Sequence, residues 1–299
     1  MEETDEQRPA RLDVGVVGTG RVGAVLGAAL ARSGHRVVAG YGVSVTSRSR
    51  ADALLPGLEM LEVAEVFERA DLVLLTVPDD VLPGLVDGLA NTGAIRSGQF
   101  VVHTSGRFGV SVLDPATRAG GLPLALHPAM TFTGTSVDLQ RLEGATFGVT
   151  APELLWPVAE ALVIEMGSEP VRVAEDQRAL YHAALTHGAN HLVTLVNDAM
   201  DMLRAAGVAL PERSLAPLLS AALDNTLRQG DDALTGPVSR GDSGTVAGHL
   251  QEIDRAMPEA TAVYTALARR TAGRALASGR LQATDAEPLL EILASDPPE

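Results

Sequence analysis

The spacing of apolar and polar positions divides the chain into two parts. From residue 12 to residue 174, short apolar runs alternate with amphipathic segments; from residue 175 onward only helix-like periodicity is left. The first run, Val14-Gly15-Val16-Val17, breaks into Gly18-Thr19-Gly20-Arg21-Val22-Gly23. A helical pattern follows through Leu26, Ala29 and Leu30 to a stop at Ser33-Gly34. Further strands are predicted at 35–39, 71–77, 99–103, 122–127, 145–150 and 170–174. The run Leu72-Val73-Leu74-Leu75 is apolar at successive positions, as in a parallel strand covered on both faces. Helical segments at 51–55, 60–69 and 152–166 lie between the strands. Strand–helix alternation of this kind predicts an α/β domain built on a doubly wound parallel sheet, a Rossmann fold.

The second part reads as helices at 177–206, 215–229, 246–257, 259–278 and 285–294, closed in turn by Gly207, Gly230, Pro258 and Gly279 and opened last by Thr284. The expected organisation is therefore a disordered N-terminus (1–11), a Rossmann domain (12–174) and an all-α domain (175–299). Residues 295–299 are also expected to be disordered. Helical units of this kind often pair, so a homodimer through the C-terminal domain is expected.

Composition narrows the function classes. With 46% hydrophobic and 20% charged residues, the 299-residue chain has the balance of a soluble globular protein. A net charge of −15 argues against nucleic acid and anionic membranes as partners. Cysteine is absent, which removes disulfides, thiolate nucleophiles and Cys-bound zinc. No apolar run approaches the ~20 residues of a membrane span, and the polar start of the chain is not a signal peptide. A cytoplasmic location is the default.

The glycine turn stands between a strand and a helix, where a dinucleotide site requires it. Gly18 permits the tight turn, Gly20 lets backbone approach a pyrophosphate, and Gly23 lets the helix pack close to the strand. Free N–H groups of Thr19, Arg21 and Val22 at the helix start would face the phosphates. The alternative is a tight turn without a ligand. NAD-specific sites usually place an Asp or Glu at the end of the second strand, yet no acid occurs between Gly23 and Asp52. Ser44, Ser47 and Arg48 stand there instead, a donor set that suits a 2′-phosphate. NADP is the expected cofactor, with NAD the less favoured one; a solvated basic loop is the plainer reading. Val77, Pro78 and Asp79 close the third strand at the edge that lines the crevice, although Asp79 and Asp80 also suit a helix cap.

Four groups could do chemistry. His103 and Ser105 end the middle strand, and His127-Pro128 ends the next. Histidine is the natural acid or base near neutral pH, although most histidines are structural. His182, Thr186 and Asn190, four apart, would share a helix face with His187 close by, forming either a wall for a substrate or a packing network. His187 and His191 have the spacing of paired ligands, but without a third ligand no metal is expected. The stretch 234–245, rich in Gly, Pro and polar donors, is either a connector or a substrate loop.

Together these motifs resemble those of Rossmann-like proteins with a C-terminal DUF2520 domain, relatives of 6-phosphogluconate-dehydrogenase-like reductases. The resemblance rests on residues 17–23, Val77-Pro78-Asp79-Asp80, His103-Thr104-Ser105-Gly106, 127–132, 181–192 and 234–242. It implies a nicotinamide-binding domain and a helical dimerisation domain. Ketopantoate-reductase-like relatives use a Lys and an Asn four apart; Asn190 matches the Asn, but Thr186 replaces the Lys. Prephenate-dehydrogenase-like relatives carry a His-Pro motif and a Ser similar in placement to His127 and Ser105. The expected function is an NADP-dependent oxidoreductase passing a hydride between nicotinamide and a small carbonyl or imine, a 2-keto acid such as ketopantoate included. His127 would be the acid or base, Asn190 would orient the substrate, and Ser105 and His182 would assist. The alternative is a non-catalytic NAD(P)-binding sensor or assembly protein.

Overall fold

Seven strands form one sheet, in the spatial order 36–41, 13–17, 72–75, 100–103, 122–128, 146–150 and 169–172. The structure, a computed structural model, describes residues 11–294. The expected disorder of residues 1–10 and 295–299 lies outside the described residues. Arg11, assigned to that N-terminal segment, is placed: its guanidinium pairs with Glu165 at 2.8 Å. The chain divides into two compact units, Met1–Gly188 and Ala189–Glu299.

In the first unit the strands are β1 (Asp13–Val17), β2 (Arg36–Tyr41), β3 (Leu72–Leu75), β4 (Phe100–His103), β5 (Leu122–Pro128), β6 (Thr146–Thr150) and β7 (Glu169–Arg172). The helices among them are α1 (Arg21–Arg32), α2 (Val45–Leu54), α3 (Val63–Arg69), α4 (Leu82–Asn91), α5 (Asp114–Arg118), α6 (Val137–Arg141) and α7 (Trp156–Glu165), followed by α8 (Arg178–Leu185). Neighbouring strands run parallel, except that β6 is antiparallel to β5, with His127 opposite Gly148. The sheet is thus mostly parallel. The loop expected over 40–50 is instead the end of β2 and the start of α2, because Ser44 and Ser47 cap that helix reciprocally.

Alternation along the strands explains the two core layers. Val14, Val16, Leu72 and Leu74 face the layer containing Leu26, Leu30, Phe147 and Leu162. Val17, Val73 and Leu75 face the opposite layer, with Phe67, Leu82, Val86 and Leu113. A period of two sends neighbouring side chains to opposite faces, so an unbroken Leu/Val run fills both layers. The chain steps from β1 outward to β2, then back past β1 to β3. The resulting reversal at the carboxyl ends of β1 and β3 is the place where such sheets bind ligands.

The second unit contains α9 (His191–Ala205), α10 (Pro211–Gln229), α11 (Ser243–Ala256), α12 (Pro258–Ala277) and α13 (Ala283–Ala294). Val246, Ala268, Ala272, Ala275, Leu281, Leu289 and Leu293 make its core. Small alanines on α12 let α11 and α13 approach closely. Among the described residues no helix is long and apolar enough to cross a membrane.

Candidate functional site

At the end of β1 the backbone turns back on itself. Gly18 has φ +101°, and a Cβ there would lie 2.7 Å from Thr76 O. At Gly23 a Cβ would lie 2.2 Å from Gly18 O and 2.3 Å from Thr76 Oγ1. Any side chain would push α1 off the strand. Gly20 differs: a Cβ there would meet nothing within 4 Å. Its surroundings are open, and α1 begins with no side-chain cap and no acid in its first turn. An uncapped, acid-free helix start beside open space fits the pyrophosphate of a dinucleotide.

Two of the cofactor assignments change with the geometry. Thr19 is fully buried, and its N–H donates to Tyr41 O at 3.0 Å. It holds the turn from beneath instead of facing a phosphate. Ser47 is likewise buried, with its Oγ accepting from the Ser44 N–H and its N–H donating to Ser44 Oγ. The outer face of this turn consists of exposed Ser44, Val45, Thr46 and Arg48, the last donating through Nε to Gly42 O at 3.0 Å. Arg21 is exposed and Val22 half-buried on the first turn of α1. Val77 and Asp79 are half-buried and Pro78 is exposed beyond β3. Neither Asp79 nor Asp80 caps α4, whose N-cap is Val81 with no side-chain bond.

The ends of β4 and β5 and the start of α8 bring two of the proposed catalytic residues, His127 and His182, together with Tyr181. His127 Nδ1 lies 3.1 Å from Tyr181 OH, with the rings edge-on. The His127 and His182 ring centroids are 5.8 Å apart. A Cβ on Gly106 would lie 2.8 Å from His127 Nε2 and 2.5 Å from His182 Cδ2, so Gly106 marks the point where the two imidazoles converge. Burial first, then the charge of Arg178 and the neighbouring His182, lowers His127 to about 4. It is a neutral imidazole at pH 7. Burial also raises the Tyr181 phenol, against the attraction of Arg178.

His103 does not join this group through its ring nitrogens. Its Nε2 donates to Gly109 O at 2.8 Å and its Nδ1 accepts from Ser105 N–H at 3.2 Å. Both nitrogens are occupied by backbone, and burial lowers its pKa to about 4. Ser105 is also buried, its Oγ accepting from the Phe108 N–H at 3.2 Å. Ser105 thus shapes the turn after β4 with its hydroxyl already engaged.

Arg178 is the residue that sequence reasoning missed. It is 1% exposed, and its guanidinium donates to Phe108 O (2.9 Å), Gly148 O (2.9 Å) and Ser105 O. No carboxylate pairs with it among the described residues; Asp79 and Glu175 act on it only at longer range. A buried cation held by three carbonyls fixes the turn after β4 against β6 and puts positive charge behind His127. The one signal in the sequence was its spacing, three residues before Tyr181 on the same helix face. Glu175 adds a second tie, accepting from the Val110 and Ser111 N–H groups at 2.8 and 3.1 Å.

Asn190, expected on one face with His182 and Thr186, belongs to the second unit and is exposed. Residues Thr186–Asn190 form a π-turn, not a regular α-turn. A wider turn adds a residue, so positions four apart no longer stack, and such turns recur at functional sites. The polar residues of this helix are also not buried: His187, Asn190 and His191 are exposed. The loop at 234–245 serves in part as a connector, since Asp242 caps α11 by accepting from the Thr245 N–H at 3.0 Å.

A doubly wound sheet with an open glycine turn at its switch point, followed by a helical unit, defines a Rossmann-like protein with an appended helical domain. Residues 1–128 match the model of the Rossmann-like domain, and residues 145–271 match DUF2520, a domain of unknown function. The chain belongs to the Rossmann-like proteins that carry a C-terminal DUF2520 domain. No curated protein matches it. Among solved structures it resembles a Bacteroides fragilis protein assigned as an NADP oxidoreductase, at 21% identity and TM-score 0.72, covering 88% of this chain and 98% of that one. An imine reductase of a Pseudomonas species is similar at 18% identity and TM-score 0.63, covering 89% of this chain and 96% of that one. The imine reductase of Myxococcus stipitatus, solved in complex with NADP+, is similar at 16% identity and TM-score 0.60, covering 90% and 95%. At these identities the likeness is one of fold.

Proposed function

We propose that the protein is an NADP-dependent oxidoreductase acting on a small carbonyl or imine. The observation that carries this reading is a neutral His127, bonded to Tyr181, at the carboxyl edge of the same sheet whose β1 end bears the open, uncapped start of α1. The nicotinamide supplies or takes the hydride. Arg21 and Val22 offer backbone to the pyrophosphate and Gly20 leaves its approach open, while Arg48 offers donors to a 2′-phosphate beside the Ser44 hydroxyl, which itself donates to Ser47 Oγ at 3.1 Å. With the Tyr181 hydroxyl donating to Nδ1, His127 carries its proton on Nε2. When a substrate oxygen or nitrogen gains negative charge, Nε2 gives up that proton and Nδ1 takes the one from Tyr181. The charge then rests on the Tyr181 oxygen, whose ring centroid lies 5.7 Å from the Arg178 guanidinium carbon. Such a relay moves a proton without ever forming a buried imidazolium.

Titrating NADPH and NADH against the chain and three variants tests the cofactor half. Gly20→Ala is expected to fold normally, because its new Cβ meets open space, yet to weaken both dinucleotides by crowding the phosphate approach. Gly23→Ala is expected to lose the native fold or several kcal/mol of stability, since its Cβ would overlap Gly18 O and Thr76 Oγ1. Arg48→Ala is expected to weaken NADPH by about tenfold and leave NADH unchanged. Failure of the wild-type chain to bind either dinucleotide overturns the reading.

The second unit is proposed to pair with a second copy. On α9, Leu192 and Val193 are 40% and 62% exposed; on α10, Leu218, Leu223 and Leu227 are 64%, 53% and 79% exposed. Burying a leucine is worth about 1.5–3 kcal/mol, so two such faces brought together drive association. Sedimentation should show a dimer at micromolar concentration, and Leu218→Glu with Leu227→Glu should return monomers. A wild-type monomer at that concentration overturns the proposal.

A further inference from the structure

Within the second unit, α9, α11, α12 and the loop at 235–238 line an open groove with about 440 Å³ of space. This is within the usual ~300–1,000 Å³ range for small-molecule sites. Its walls are chiefly apolar, with Leu195, Met202, Val263 and Leu267 prominent. Polar groups enter at two places. His249 Nδ1 and Tyr264 OH are hydrogen-bonded to each other at 2.8 Å, and both line the groove. Asp198, half-buried on α9, also lines it and has no hydrogen bond or ion pair among the described residues.

Each feature points to the same ligand chemistry. Asp198 has no protein partner on this largely apolar surface, and a ligand cation would give it one. The apolar walls favour a carbon skeleton, and the His–Tyr pair offers one site that accepts and one that donates. The chain's charge of −15 draws cations and repels anions. Thr235, Pro237 and Val238 supply part of the lining, so the stretch left open between connector and ligand loop serves both purposes.

We propose that the C-terminal unit holds a binding site for a small organic cation with an apolar body, an amine of one or two rings, whose ammonium group pairs with Asp198. The site rests on residues of the second unit alone and does not depend on the dinucleotide reading.

Three probes that share one ring system and differ in head group test it: 1-naphthylmethylammonium, 1-naphthylmethanol and 1-naphthoate, titrated calorimetrically into the full chain at pH 7 without dinucleotide. The ammonium is expected to bind about tenfold more tightly than the alcohol, with the carboxylate weakest. Asp198→Asn should bring the ammonium down to the alcohol's affinity and leave the alcohol unchanged. Ala199→Phe, which fills the groove from α9, should weaken the ammonium and the alcohol together while the melting temperature holds. Equal affinity for the three probes, no binding by any of them, or no response to either substitution overturns the proposal. A second copy covering the groove would appear as the absence of binding.

Discussion

Replacing His127 with Asn is expected to lower kcat/KM by about 10²–10⁴ on any carbonyl or imine that a substrate screen returns, the usual contribution of a positioned acid or base. Dinucleotide affinity should not change, because His127 lies at the end of β5 and the glycine turn follows β1. Asn keeps a donor and much of the volume, so the fold should survive, and a melting curve checks that. The pH profile adds a readout that a packing role would not give. An ordinary histidine would place a limb near pH 6.5; with His127 held at about 4 by burial, Arg178 and His182, the wild-type rate should stay level from pH 8 down to about 5. Tyr181→Phe removes the proton that refills Nδ1 and should lower the rate as well. Tight NADPH binding with no turnover on 2-keto acids or cyclic imines, and no effect of His127→Asn on any function, would favour the sensor reading instead.

Much of the first unit was legible because its signals are local. Unbroken Leu/Val runs and a glycine triplet between strand and helix depend only on nearby sequence, and the strands that they predicted are present. Even the antiparallel β6 was found as a strand; its direction was not, because direction depends on how the chain returns to the sheet edge. The candidate site was half legible. His127 and His182 could be ranked by their place at a strand end and on a helix. His103 looked equally eligible until its two ring nitrogens were seen bonded to Gly109 O and Ser105 N–H. Arg178 was silent for the opposite reason. Its partners are backbone carbonyls 70, 30 and 73 residues away, and carbonyls have no residue type to recognise. Periodicity misled once: an i, i+4 count from His182 to Asn190 assumes a regular helix, and the π-turn at Thr186–Asn190 leaves no mark in the residue types.

Acid should destabilise this protein earlier and more steeply than its carboxylates alone would require. His103 and His127 are both lowered from 6.5 to about 4 in the folded chain. The unfolded chain therefore takes up their protons near pH 6.5, while the folded chain refuses them until about pH 4. Their contribution is fully present above pH 6.5 and is lost progressively as the pH falls towards 4, at about 1.4 kcal/mol per pH unit for each. By pH 4 each accounts for about 3 kcal/mol, a large part of the stability of a typical domain. His103 is the clearer case. A proton on Nδ1 would point at the Ser105 N–H, and the ring has no second acceptor to offer. Denaturant midpoints measured from pH 7.5 to pH 4.5 should fall steeply below pH 6.5 in the wild type. His103→Gln, which cannot titrate, should lose about half of that extra slope while starting from lower stability at pH 7, because the paired backbone groups are held less well. Parallel pH profiles for the two proteins would mean that His103 accepts a proton freely in the folded state, and that the turn after β4 is looser than its two ring bonds imply.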